Sequence, residues 1–294
     1  MPDRFENQQE VRSYLQKHLS AHDWHFSIPP GSGMETYFVR GNGHEYFVKV
    51  GAPVERYQVM AEIGLSPPVI TSGRLENGLT IFVQPRIRGR VPSRRDFQCR
   101  LDEVAAMIHK MHFDPQLHEV LPQPSSKLHK DAGRQALDQL LRRWKRYRVL
   151  VPHLAPLIDN KLEDMALQLS QFSSGGLVAS HNDICNGNWL FTRDGKIYIL
   201  DLYSMAMDDP ALDMGALLWW YYPPALRGKF LAIAGYPYDE EFKFRMQIRM
   251  ALHCLSITLP RDHGFEEFQA DRYHEALTDF IAVVDGKENP QGYA

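Results

Sequence analysis

Between Ser180 and Asp201 the chain reads SHNDICNGNWLFTRDGKIYILD, and this stretch restricts the possible fold more than any other. Asp194-Gly195 is a hairpin turn signal, because both positions tolerate positive φ, and apolar runs flank it at Trp189 to Phe191 and Ile197 to Leu200. Pairing Arg193 with Lys196 across the turn sets Phe191 opposite Tyr198, Leu190 opposite Ile199, Trp189 opposite Leu200 and Asn188 opposite Asp201. Directly opposed residues have Cβ atoms roughly 4.5–5.5 Å apart. An amide oxygen and a carboxylate at that separation can share one Mg²⁺, a cation that takes oxygen ligands from one or two carboxylates plus phosphates. Just upstream, His181, Asp183 and Asn188 make an H-x-D-x-x-x-x-N pattern, with Asp183 on a loop where it can face an attacking hydroxyl.

Composition excludes several classes. With 294 residues, 44% of them hydrophobic, the chain can bury a substantial core as one large domain or two lobes. A net charge of -3 gives no reason to expect nucleic acid as a partner. The three cysteines, Cys99, Cys185 and Cys254, are widely spaced and form no CxxC pair, so neither a disulfide framework nor a zinc site is expected. The N-terminus is polar, and no run approaches the roughly 20 apolar residues of a membrane span. A soluble protein of the reducing cytoplasm, with no membrane contact, is the expectation.

The chain changes character near residue 90. After a first helix at about Asn7 to Leu19, it reads as strands at Thr36 to Arg40, His44 to Val50 and Leu79 to Gln84, with a Gly41-Asn42-Gly43 turn and a helix at about Val54 to Ile63. Beyond Gly89 the pattern is mostly helical. Ser93, with Asp96 in capping-box position, opens a helix running to about His112. Further helices are expected near Lys130 to Tyr147, Ala155 to Phe172, Pro210 to Tyr221 and Glu240 to Ser256. The boundary is placed in the Gln84 to Arg90 connection, dividing the chain into 1–86 and 87–294.

The N-terminal part carries groups suited to phosphate. Gly31-Ser32-Gly33 precedes a strand, so Ser32 and Gly33 can bring backbone N–H groups close to phosphate oxygens. Lys49 sits inside the apolar strand YFVKV, where an unpaired cation is costly and demands a partner. Glu55, opening the next helix, is the expected partner and Glu62 its rival.

Lys49 in YFVKV, Glu55 ahead of AEIGLSPPVI, the linker-like FVQPRIRGRVPS, the loop HNDICNGN and the segment ILDLYSMAMDDPALDMG together resemble the aminoglycoside phosphotransferase and choline kinase family. The resemblance covers nearly the whole chain. It implies an α+β, protein-kinase-like two-lobed fold, with a small sheet-plus-helix N-terminal lobe that binds nucleotide and a larger, mainly helical C-terminal lobe for catalysis and acceptor binding. It also implies ATP as donor, with Lys49 on its phosphates, Asp183 as base or orienter for the acceptor hydroxyl, and Asn188 with Asp201 holding Mg²⁺. His181 would brace the loop, and Asp213 would hold it from the Pro210 helix, whose N-cap is Asp209.

Within the family, GNWLF and the run ILDLYSMAMDDPALDMGALLWWYYPP look most like a bacterial subgroup of small-molecule phosphotransferases. Choline and ethanolamine kinases commonly carry glutamate two residues after the metal aspartate, and here that position is Tyr203. Trp219 to Tyr222 offer a cation-π cage, although such a run at a helix end is ordinarily packing. An aminoglycoside would want acidic walls, and from Asp239 onward eleven acids stand against six bases, a bias that usually marks a solvated face. The basic cluster from Arg142 to Arg148 is read the same way. The acceptor is therefore expected to be a small-molecule hydroxyl: a sugar, nucleoside, amino alcohol or aminoglycoside-like compound. The alternative is a regulatory kinase-fold protein acting through partner contacts.

Overall fold

The computed structural model describes residues 7–19, 23–29, 35–124, 126–260 and 270–294. In chain order its elements are α1 (Gln8–His18), β1 (His25–Ser27), β2 (Thr36–Gly41), β3 (His44–Val50), α2 (Val54–Glu62), β4 (Thr71–Arg74), β5 (Thr80–Pro85) and β6 (Gly89–Arg90). There follow α3 (Arg94–Cys99), α4 (Leu101–His112), α5 (Pro115–Val120), α6 (His129–Tyr147), α7 (Ala155–Leu169), β7 (Val178–Ser180), β8 (Trp189–Thr192) and β9 (Ile197–Ile199). The chain ends with β10 (Ala206–Asp208), α8 (Pro210–Tyr221), α9 (Pro224–Ala234), α10 (Glu240–Thr258) and α11 (Ala270–Val284).

These elements form two compact units. One comprises the described residues up to Val91 together with Gly187–Tyr203; the other comprises Pro92–Asn186 and the described residues from Ser204 onward. A division by position along the chain assigns the β8–β9 hairpin to the later part. The structure builds it into the first unit, where β8 pairs with β6 and the Ile199 N–H donates to the Leu65 carbonyl at 2.8 Å.

The first unit is built on a five-stranded antiparallel sheet in the order β1-β2-β3-β5-β4. The Asn42-Gly43 turn, with φ of 50° and 77°, joins β2 to β3 through the Gly41–His44 pair, matching the right-handed strand twist. Strand alternation then sorts β3. Val48 and Val50 enter a core with Val11 and Leu15 of α1, Trp24, Val39 and Val83. Lys49 projects to the other face, where α2 lies with the Tyr57 ring 4.3 Å from that of Phe82.

The second unit is mainly helical. The Ser93–Asp96 capping box forms as expected, but the helix it opens stops at Arg100, whose φ of -115° and ψ of 30° leave the helical region, and α4 restarts at Leu101. Pro210 to Trp219 of α8 are all buried, the signature of a core helix with no solvent face. Gly215 lets α8 lie directly on α10, since a Cβ there would sit 2.8 Å from the Met246 carbonyl oxygen.

The β8–β9 hairpin forms in a different register from the expected one. Its pairs are Trp189–Ile199, Leu190–Tyr198 and Phe191–Ile197, one residue out of step. The turn has three residues, closed by the Thr192 N–H on the Lys196 carbonyl at 2.9 Å, and only Gly195, at φ 87°, takes the left-handed conformation. A two-residue turn would have required Asp194 to do so as well. Asn188 therefore stands opposite Leu200, whose N–H donates to the Asn188 carbonyl at 2.7 Å, and Asp201 lies one position beyond. Replacing Gly195 with alanine is expected to cost about 1–2 kcal/mol, because Cβ crowds the next carbonyl at positive φ. Urea unfolding should show a lower midpoint at unchanged slope.

Candidate active site

In the first unit, the Lys49 ammonium donates to Asp201 Oδ1 at 2.6 Å and to the Tyr57 hydroxyl at 3.2 Å. Burial alone would lower the lysine pKa, but the charges and hydrogen bonds of Tyr57 and Asp201 outweigh it and hold the value above the ordinary one. Lys49 is thus a fixed cation. Asp201 follows β9 at φ 51°, a left-handed conformation that turns its carboxylate back toward β3 while leaving the side chain 51% exposed. The loop beyond it is held from α2 by buried Arg56, which donates to the carbonyls of Leu202 and Tyr203 at 3.3 and 2.9 Å.

Lys49, Tyr57, Asn188 and Asp201 border one cavity of about 340 Å³. Phe38, Phe47, Leu190 and Leu200 supply its apolar walls, and Ser66, Gln84 and the Pro85–Ile87 segment close one side. The size and the few polar groups among apolar walls are those of a small-molecule or cofactor site. The donor set also suits Mg²⁺. One carboxylate and one amide oxygen share the cavity, and among the described residues no three His, Cys, Asp or Glu side chains gather to make an all-protein cage for another metal.

In the second unit, β7 runs into His181, Asn182 and Asp183. The N–H groups of His181 and Asn182 donate to the two oxygens of Asp213, at 2.6 and 3.0 Å. Asp213 is fully buried on the first turn of α8 and also lies 3.1 Å from Nε2 of buried His112, whose Nδ1 is 2.6 Å from the Tyr236 hydroxyl. Burial would raise the carboxyl pKa; the hydrogen bond and charge of His112, with the contribution of His181, hold it below the ordinary value instead. The Asp183 N–H donates to His181 Nδ1 at 3.3 Å, and the Asn186 N–H donates to the Tyr221 hydroxyl at 2.8 Å. The far end of α8 therefore grips the same loop. Asp209 caps α8 as expected, accepting from the Ala211 N–H at 3.0 Å, and pairs with Arg245 at 2.7 Å.

The structure thus brings Lys49, Asn188 and Asp201 together in the first unit and sets His181 and Asp183 on one loop of the second. It does not pair Lys49 with Glu55. Val54, Tyr57 and Met60 form the buried stripe of α2, whereas Glu55 and Glu62 are exposed. The i, i+3 spacing of that stripe was the signal for Tyr57. Ser32 and Gly33 lie outside the described residues. The aromatic run at the end of α8 packs, as such a run ordinarily does: Trp219, Tyr221 and Tyr222 are buried, and the Tyr222 hydroxyl donates to the Phe97 carbonyl at 3.1 Å. His112 and Arg56 carried no sequence signal, because their roles depend on partners more than 100 residues away. Among the described residues, no helix is long and apolar enough to cross a membrane.

A carboxyl whose pKa is depressed on folding adds stability that is present above its unfolded pKa and is lost as pH falls through its folded pKa. Acidification below the ordinary value near 3.8 should therefore weaken the fold partly through Asp213, and Asp213→Asn should flatten that part of the stability curve. His112→Phe, which leaves the buried carboxylate without its side-chain partner, should cost roughly 3–5 kcal/mol at neutral pH. Denaturant unfolding from pH 7 down to about pH 2 measures both.

Known proteins share this architecture. Aminoglycoside 2'-phosphotransferase-IIIa, solved with GDP, matches 97% of this chain and 99% of its own at TM-score 0.67 and 12% identity. Choline kinase from Cryptosporidium parvum matches 95% of this chain and 97% of its own at TM-score 0.64 and 14% identity. The streptomycin, ATP and APH(2")-IIa ternary complex matches 92% and 95% at TM-score 0.59 and 14% identity. At such identities the likeness is one of fold, and the fold is kinase-like: a small antiparallel-sheet lobe and a helical lobe. The family model for the phosphotransferase enzyme family matches residues 27–244, well over half of the chain, and the chain belongs to that family.

Proposed function

We propose that the protein transfers the γ-phosphoryl group of ATP to a hydroxyl group of a small molecule, with Mg²⁺. The observation that carries this reading is the buried Lys49 ammonium held 2.6 Å from Asp201 in the same cavity as Asn188. A fixed cation beside two oxygen donors is what a polyphosphate needs, and family membership makes phosphoryl transfer the chemistry to expect. Neighbours of the same fold that were solved with ATP, AMP or GDP support a nucleotide donor.

Each residue then has a task. Lys49 exchanges its contact with Asp201 for phosphate oxygens. Asn188 and Asp201 would hold Mg²⁺, which when bound neutralises phosphate charge. Ser32 and Gly33 would donate backbone N–H groups to phosphate oxygens. Asp183 orients the acceptor hydroxyl and takes its proton, and His181 steadies Asp183 through the backbone contact at 3.3 Å. Positioning and charge neutralisation contribute most of the acceleration, and no covalent enzyme intermediate is needed.

Asp201→Ala should abolish Mg²⁺-dependent ADP release from Mg-ATP and an acceptor while leaving the circular dichroism spectrum unchanged; retained turnover would remove Asp201 from the metal site. Asp183→Asn should lower kcat by roughly 10²–10⁴-fold with little change in ATP affinity. Equal loss of both would argue against its acceptor-side role.

A further inference from the structure

The second unit holds a groove that the phosphate-handling residues do not use. Two cavities of about 240 and 320 Å³ share Ala136, Gln139, Asn182 and Asp208 in their walls, so they form one continuous groove along α6. The groove reaches the catalytic loop, because Asn182 borders both cavities and is joined directly to Asp183, with Cα atoms roughly 3.8 Å apart across the peptide.

Three features define what it would bind. First, Asn182 stands at φ 64°, gives its Nδ2–H to the Ser204 carbonyl at 3.2 Å, and keeps its Oδ1 buried without a hydrogen-bond partner. A buried acceptor in that state is costly, and a rotation of the side chain toward the groove that Asn182 borders would let a ligand O–H satisfy it. Second, Gln135 and Gln139 are exposed one turn apart on α6, so their amides present donors and acceptors side by side. A hydroxyl group is also both donor and acceptor. Third, Asp208 is the sole carboxylate among the described wall residues, and Arg249 Nη1 lies 2.9 Å from it. Arg143 lines the same groove. A ligand rich in ammonium groups would meet arginine there and an already engaged carboxylate.

We infer that this groove is the acceptor subsite and that it takes a neutral polyhydroxylated compound of the sugar or cyclitol kind rather than a polyamine. The inference rests on the phosphotransferase reading above and adds to it the chemical class of the acceptor. Among the described wall residues, none of the acids that follow Asp239 appears, so those walls supply no counter-charge from that segment for an aminoglycoside.

The test uses the full-length protein and D-ribose, D-glucose and myo-inositol, set against kanamycin and choline. Saturation-transfer NMR without nucleotide reads binding, and ADP release with Mg-ATP reads turnover. At least one neutral compound should bind saturably and be phosphorylated. Gln139→Leu and Gln135→Leu, both on an exposed helix face, should each raise its KM by about tenfold while kcat stays within about twofold. The inference is overturned by absence of saturable binding for all three neutral compounds, by turnover of kanamycin or choline alone, or by an unchanged KM in both variants. The last two results leave the transferase reading intact. Binding that is lost in Gln139→Leu, with no ADP release from any compound, has the opposite meaning: the groove stands as a polyol site and the transferase reading fails.

Discussion

The N–H groups of His181 and Asn182 follow a three-residue strand, and one side chain accepts from both of them. Consecutive N–H groups beside a left-handed residue make a small anion-binding concavity. The occupant is Asp213, carried on the most deeply buried helix of the unit and steadied by His112. The loop bearing Asp183 is therefore anchored through its own backbone. Tyr221 holds the same loop from the other end of the helix.

The first unit solves the opposite problem, a buried cation. Strand alternation forces Lys49 onto the face covered by α2, and the solution is shared between a neutral phenol and a half-exposed carboxylate. The phenol cannot be displaced, being packed against Phe82, whereas the carboxylate faces solvent. Entry of a polyphosphate would thus exchange one partner of Lys49 and leave the other. An exchange of that kind costs less than bringing a bare ammonium out of an apolar strand.

Local patterns were legible where local physics decides the outcome. The Asn42-Gly43 hairpin, the Ser93 capping box, the Asp209-Pro210 helix start and the placement of Lys49 in a buried strand all follow from a few adjacent residues. The failures have equally specific causes. The hairpin slipped by one residue because Asp194 stays out of the left-handed region, and a single residue of register changes which side chains face each other. Glu55 is the expected partner of Lys49 because the strand-to-helix connection brings the first turn of α2 close, but helix phase puts Tyr57, not Glu55, on the inner face. The Asp213–His112 contact spans 101 residues, and no pattern within a window of that helix could announce it.

The first unit is discontinuous, and biosynthesis gives that fact a direction. Strands β1 to β6 leave the ribosome early, but the hairpin that carries Asn188 and leads to Asp201 follows only after the chain from Pro92 to Asn186 has been made. At about 5–20 residues per second, that delay is on the order of five to twenty seconds. During it the β6 edge awaits β8, and Lys49 awaits the carboxylate that neutralises it. An incomplete nascent chain therefore contains every strand of the five-stranded sheet, but only one strand of the β6-β8-β9 sheet and a buried lysine without its carboxylate.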